Sequence, residues 1–289
     1  LMFDIETTSL RPQDGMIFLL GMLDNRGNSK IFYADDDESE RQLIIDFFDE
    51  IHRIKPTIIG GYNSSSFDWD WLERRAEILG LNIRDIVKTL NPHSPFKRRD
   101  SILKLGAEVE DYKSTQMWGY NVIDVAHSVR RAQTINSDIK SWGLKYITEF
   151  IGANKDTRVY VDGDKISSTY AENKDFFFNP RTGKYKSVET PGLEDLIKKH
   201  PNTYEVLNGQ EVVKKYLEDD IDETLRVDEQ FNQASFLLST MVPTTYERVS
   251  TMGTATLWKM LMLAWSYHQG LAIPKKEEKR PFVGGLSRL

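Results

Sequence analysis

Three groups of acidic residues, far apart along the chain, carry the side chains most able to do chemistry. The first is Phe3-Asp4-Ile5-Glu6-Thr7-Thr8. On a strand, residues two apart share a face, so Asp4 and Glu6 point together while Ile5 turns toward the core. Two adjacent carboxylates repel unless a cation sits between them. A solvated pair at a strand end is the alternative. The second group, Gly60-Gly61-Tyr62-Asn63-Ser64-Ser65-Ser66-Phe67-Asp68, follows a strand and opens a helix. There Asp68 suits either a ligand or a helix N-cap. Asn63 and Phe67 suit a turn and a core position as readily as a binding role. The third is Tyr216-Leu217-Glu218-Asp219-Asp220-Ile221-Asp222-Glu223. At about 100° per residue, Val213, Leu217, Ile221, Thr224 and Phe231 form one apolar arc. Asp220 falls inside it, with Tyr216 at its edge one turn earlier, while Glu218, Asp219, Asp222 and Glu223 fall outside on an expected solvated face. An inward-pointing acid needs a neutralising partner, either a cation or a buried Arg or Lys. Asp228 lands on the same arc two turns on, so the arc alone does not single out Asp220. The three groups contain no His and the chain no Cys, so oxygen-liganded Mg²⁺ or Mn²⁺ fits them better than Zn²⁺.

The elements that must carry these residues alternate in an α/β order. Residues 1–5, 16–23 and 30–34 read as strands, with turn chemistry at Asn25-Arg26-Gly27-Asn28. Helical spacing runs from Glu38 to Ile54 and is closed by Pro56. Residues 57–59 form a strand, and a helix from Asp68 to Leu79 stops at Gly80. Strand, strand, strand, helix, strand, helix implies one mixed sheet flanked by helices. Further on, Asn121–Ala126 reads as a strand and Trp142–Ile151 as a helix ended by Gly152. Residues 155–210 are polar and irregular and read as an insertion. A long helix spans about Gln210–Gln233, and a Met-rich helix covers about 252–269, before the charged tail Lys275–Arg280.

Bulk properties narrow the setting. The 289 residues, 39% of them hydrophobic, suffice for a sizeable core and one large or two ordinary domains. The net charge of −6 argues against a protein that coats nucleic acid through a bulk basic field. It leaves room for an acid-rich catalytic site with local basic contacts, of which Lys97-Arg98-Arg99 is the sharpest run. That run precedes an expected hairpin near 100–120, although a charge run also suits a plain solvated face. The absence of cysteine excludes disulfides and favours an intracellular location. The most apolar stretch, Ala255–Trp265, contains Lys259 and is about half a membrane span, so no membrane partner is expected. Leu1 is not a start methionine and already lies in a strand pattern, which points to a chain whose true N-terminus is unseen.

Taken together, Asp-x-Glu, Asn-x₃-Phe-Asp and Tyr-x₃-Asp in this order resemble the three exonuclease motifs of family B DNA polymerases, which lie on a ribonuclease H-like fold. Asn121-Val122-Ile123-Asp124-Val125 and Ser141-Trp142-Gly143-Leu144-Lys145-Tyr146 are similar to the segment between the family's second and third motifs. Phe282-Val283-Gly284-Gly285 is similar to its link between exonuclease and polymerase domains. Ser66 departs from the Asn that often precedes Phe-Asp. The resemblance implies an exonuclease domain at 1–233, with the insertion inside it, and the helical start of a polymerase domain at 234–289, leading to the palm. It implies two divalent cations, Mg²⁺ or Mn²⁺. Asp4, Glu6 and Asp220 would hold the one that activates water, and Asp4 and Asp68 the other, with Tyr216 orienting the attacking water. It assigns Thr7, Asn63 and Phe67 to the unpaired primer end and places a strand-parting hairpin near Lys97, Arg98 and Arg99. Gly284 and Gly285 join these as expected DNA contacts. The family's polymerising motifs, Asp-Thr-Asp and Lys-x₃-Asn-Ser-x-Tyr-Gly, do not occur, so this stretch is expected to degrade DNA without making it. No sequence feature names an accessory replication protein. A stand-alone RNA exonuclease with the same acids and a non-catalytic scaffold are the rival readings. The first would have no use for Phe282-Val283-Gly284-Gly285, and the second predicts a missing ligand.

Overall fold

In the computed structural model, which describes residues 1–273, the first half of the chain builds one mixed sheet. Strands β1 (Met2–Thr7), β2 (Ile17–Leu23) and β3 (Ser29–Tyr33) form an antiparallel meander. Helix α1 (Asp37–Ile54) crosses back to β4 (Ile58–Gly61), which runs parallel to β1. Helices α2 (Asp68–Ile78) and α3 (Ile83–Ile86) follow, then the hairpin of β5 (Lys97–Leu105) and β6 (Glu108–Gln116). Strand β7 (Asn121–Asp124) completes the five-stranded sheet in the order β3-β2-β1-β4-β7. Helices α4 (Val125–Ile135) and α5 (Leu144–Phe150) come next.

Helix α8 (Gly209–Phe231) returns across β1 and β2, after the intervening α6 (Ile166–Glu172), β8 (Asp175–Phe178), β9 (Tyr185–Ser187), α7 (Leu193–Lys199) and β10 (Glu205–Asn208). Three more helices, α9 (Gln233–Ser239), α10 (Tyr246–Thr251) and α11 (Thr254–His268), close the described chain. The tail Lys275–Arg280 and the Phe282-Val283-Gly284-Gly285 element, with Gly284 and Gly285, lie outside the described residues.

Strand alternation splits the core in two. Phe3 and Ile5 of β1 join Phe47, Phe48, Trp69 and Leu72 from α1 and α2 on one face of the sheet. Met2 and Leu19 join Val213, Leu217 and Ile221 from α8 on the other. Asp4 and Glu6, two apart from Met2, therefore share the α8 face. Gly21 lies opposite Asp4 in the β1–β2 register. A Cβ at Gly21 would come within 2.5 Å of Ile221 Cδ1 and 3.1 Å of Leu217 Cδ2. The missing side chain thus sets how closely α8 approaches the sheet.

The structure departs from the sequence reading in three places. The strand expected over Asn121–Ala126 ends at Asp124, because the Asp124 carboxylate caps α4 by accepting from Ala126 N–H at 3.0 Å. The basic run does not precede the hairpin but forms the start of its first strand. Residues 155–210 are not irregular: they carry a three-stranded sheet in the order β10-β8-β9 and two helices. Val159, Val161, Ile166, Phe178 and Leu207 fasten this layer to α8. Its strands are three or four residues long and β8 pairs with β10 across a large separation, so no local periodicity announces them.

Candidate functional site

The three acidic groups meet at one end of β1. Carboxylate oxygens of Asp4, Glu6 and Asp220 lie within 4.8 Å of one another. Asp4 and Glu6 arrive by strand alternation, and Asp220 faces them from α8 across the gap left by Gly21. Asp68 completes the set from the first turn of α2. Its side chain does not cap its helix; Oδ1 accepts from Ile5 N–H of β1 at 3.2 Å. Trp69, fully buried and 4.9 Å from Phe3 ring to ring, locks that helix start beside the strand. The preceding turn is held by Asp124, whose oxygens accept from Asn63 N–H and Ser65 N–H at 2.9 Å each. Asn63 adopts a left-handed backbone with φ of 57°, tolerated by Asn better than by most residues.

Electrostatics mark the cluster as short of positive charge. Burial, followed by the charges of Asp68, Glu6 and Asp220, holds the Asp4 carboxyl well above the usual range, and it hydrogen-bonds Asp68. Burial and then Asp220 and Asp68 push Glu6 up to about 8, against an opposing pull from Lys145. Asp68 is pushed up to about 7, mainly by burial. Asp220 is also raised by burial, opposed by Arg158, Lys145 and a hydrogen bond from Tyr216. Burial and then Asp220 and Glu6 raise the Tyr216 hydroxyl, which therefore stays protonated. Acids in this condition retain protons or take up cations.

Two cations near the site escaped the sequence reading. Lys145 Nζ stands 4.7 Å from the centre of the Tyr216 ring. Arg158, from the supposed insertion, has a side chain only 1% exposed, bonds Asp220 through Nη2 and sets Nε 2.9 Å from Glu223 Oε1. Asp220 thus sits in the acid cluster and also pairs with a buried Arg. Glu223 is not on a solvated face, because the layer built by residues 155–210 covers that side of α8. A lone Arg in a polar stretch gives no periodic signal, and Glu223 lies outside the arc that packs on the sheet.

The remaining expected contacts divide. Phe67 is half-buried, packed against the core with its ring 6.0 Å from that of Trp71. Thr7 Oγ1 donates to Ser9 O at 2.7 Å, just past an irregularity in the β1–β2 register. Lys97 is half-buried and Arg99 exposed. Arg98 does not face solvent as a free cation. Its side chain is 4% exposed and donates to Ser65 O and Thr115 Oγ1 at 3.0 Å each, tying the hairpin to the Asn63–Asp68 turn.

A mixed sheet of this order, with clustered acids on its central strand and a facing helix, defines the class. The chain belongs to the RNase_H superfamily, whose model matches residues 1–179. Within it, the chain is homologous to family B DNA polymerases over most of its length. It is 20% identical to DNA polymerase 2 of Aeropyrum pernix over 96% of this chain and 28% of that one. It is 25% identical to a DNA polymerase of Pyrococcus glycovorans over 98% of this chain and 31% of the relative. The family B DNA polymerase structure from Pyrobaculum calidifontis matches its fold with a TM-score of 0.64 and 21% identity, covering 98% of this chain and 31% of that one. The chain therefore spans less than a third of the length of each of these three.

Proposed function

We propose that this chain is the 3′→5′ proofreading exonuclease of a family B DNA polymerase, hydrolysing the 3′-terminal phosphodiester of single-stranded DNA and releasing a deoxynucleoside monophosphate. The meeting of Asp4, Glu6 and Asp220 oxygens within 4.8 Å, with Asp68 bonded to Asp4, carries this reading. Buried acids with raised proton affinity and oxygen donors alone fit two divalent cations, Mg²⁺ or Mn²⁺. Asp4, Glu6 and Asp220 would hold one, and Asp4 and Asp68 the other. When bound, such cations neutralise the phosphate, activate water and stabilise the leaving oxygen.

The chain's own groups do the rest. Tyr216 keeps its proton and hydrogen-bonds Asp220, so it orients water by hydrogen bonding and does not act as a base. Lys145 and Arg158 set positive charge beside Asp220 and Tyr216. Thr7, Asn63 and Phe67 hold the unpaired 3′ end, with Phe67 supplying a stacking edge. Lys97 and Arg99 on the hairpin meet the backbone, while Arg98 braces the turn. Residues 1–233 would form the exonuclease unit, with α9, α10 and α11 beginning a polymerase domain after it. Helix α10 nonetheless packs against β7 and α4, so the two parts share an interface. DNA is the partner, and its use as substrate implies an intracellular site of action. Among the described residues no helix is long and apolar enough to cross a membrane.

The test is Mg²⁺-dependent release of mononucleotide from a primer with a 3′ mismatch, comparing wild type with Asp4→Ala. Release by wild type and its loss in the variant is the expected result. Equal rates in the two remove the assigned site.

A further inference from the structure

Glu223 has no part in the chemistry above, yet only 1% of it is exposed. It lies one turn beyond Asp220 on α8, so the two carboxylates project to the same side of the helix. Arg158 enters between them, with Nη2 on Asp220 Oδ1 and Nε 2.9 Å from Glu223 Oε1. The guanidinium carbon lies 4.9 Å from the centre of the Tyr160 ring and 5.2 Å from that of Tyr216. Neither Glu223 oxygen has a hydrogen-bond partner among the described residues; burial pushes its carboxyl up to about 7, and the ion pair with Arg158 is the main charge opposing that. Removing one member of such a buried pair is strongly unfavourable.

One guanidinium thus serves two carboxylates, and only one of them faces Asp4 and Glu6. A divalent cation that takes Asp220 draws on negative charge that Arg158, bonded to Oδ1, already shares. With Glu223 in place, the guanidinium keeps a carboxylate partner throughout. Without it, Asp220 is the one acid left in direct contact with a buried positive charge, with Asp219 acting at longer range, and the cation competes with Arg158 more directly. We infer that Glu223 is a positioning residue: it holds Arg158 so that Asp220 is free to act as a cation ligand. This rests on reading Asp220 as such a ligand.

The test is Mn²⁺ alone, titrated calorimetrically into the 289-residue chain as wild type, Glu223→Gln, Arg158→Gln and the double variant. Glu223→Gln should weaken Mn²⁺ binding by about tenfold when Arg158 is present, within the coupling range of neighbouring charged groups. In the Arg158→Gln background the same change should cost less than about threefold. Equal losses in both backgrounds would make Glu223 a direct attractor of the cation and overturn the inference, as would no loss in either. Glu223→Asp, which keeps the charge, should stay within about twofold of wild type. A loss as large as that of the Gln variant would show that packing, not charge, is what matters. Should wild type give no Mn²⁺ binding that Asp4→Asn abolishes, the proposed cation site itself fails, and this inference with it.

Discussion

Replacing Asp4 with Asn should make the metal-free protein more stable while abolishing hydrolysis. The Asp4 oxygen lies within 4.8 Å of those of Glu6 and Asp220. At an effective dielectric constant of about 20, each fully ionised pair at that separation costs about 3 kcal/mol. Proton uptake limits this, because Glu6 titrates at about 8 and Asp4 well above its ordinary range. The net strain at pH 8 is then on the order of 1–3 kcal/mol. Asn keeps a donor for Asp68, where protonated Asp4 already places one, so packing is preserved. For a domain of this size, the melting temperature in EDTA at pH 8 should rise by about 2–10 °C. The gap should narrow as pH falls and Asp4 takes up its proton in wild type. Mg²⁺ should raise the melting temperature of wild type and leave the variant unmoved. Thermal unfolding with and without Mg²⁺, alongside a gel assay of single-stranded DNA digestion, reads all of this. An Asn variant no more stable than wild type at pH 8 in EDTA would refute the argument that these acids repel across a shared cation site.

Other outcomes follow from the same geometry. Glu6 and Asp68 carry folded-state affinities of about 8 and about 7, above their ordinary values. The folded protein therefore holds protons that the unfolded chain releases, and metal-free stability should fall by a few kcal/mol as pH rises from about 5 to about 8; a melting temperature that climbs across that window contradicts this. Tyr216→Phe should lower the turnover number by about 10- to 100-fold with Mn²⁺ affinity unchanged, the signature of a lost orienting hydrogen bond. The paired change Lys97→Ala and Arg99→Ala should flatten the salt dependence of single-strand binding by roughly 1.4 in logarithmic slope, and an unaltered slope dismisses the hairpin contact. Arg98→Ala should instead cost about 1–3 kcal/mol of stability, measured by chemical denaturation, because it strips the brace from Ser65 and Thr115.

Strand alternation made much of this arrangement legible in advance. It set Asp4 and Glu6 on one face and Ile5 in the core, where Ile5 is 3% exposed. The 100° spacing of α8 likewise turned Leu217, Ile221 and Asp220 toward the sheet. Gly80 and Gly152, with φ of 69° and 66°, end their helices where the sequence put the stops. What resisted reading depends on contacts between distant segments. Arg158 meets Asp220 across 62 positions, and no spacing rule reaches that far. Glu223 is buried because that same layer folds over the flank of the helix next to Asp220. Arg98 looked solvated in a basic run because strand alternation there depends on the partner β6, which sends it inward and its neighbour Arg99 outward.

The hydrogen atom that stands in for a side chain at Gly21 behaves as a gauge block for ionic radius. The distance from α8 to β1 decides how wide an ion Asp4 and Asp220 can grasp between them, and Ile221 rests where a methyl group at Gly21 would be. Mg²⁺ takes oxygens at about 2.0–2.1 Å and Ca²⁺ at about 2.3–2.6 Å, a difference smaller than the width of that methyl. A residue with no chemistry of its own, buried behind the acids, can therefore retune which ion the protein prefers. Comparing Mg²⁺ with Ca²⁺ affinity in Gly21→Ala would reveal it.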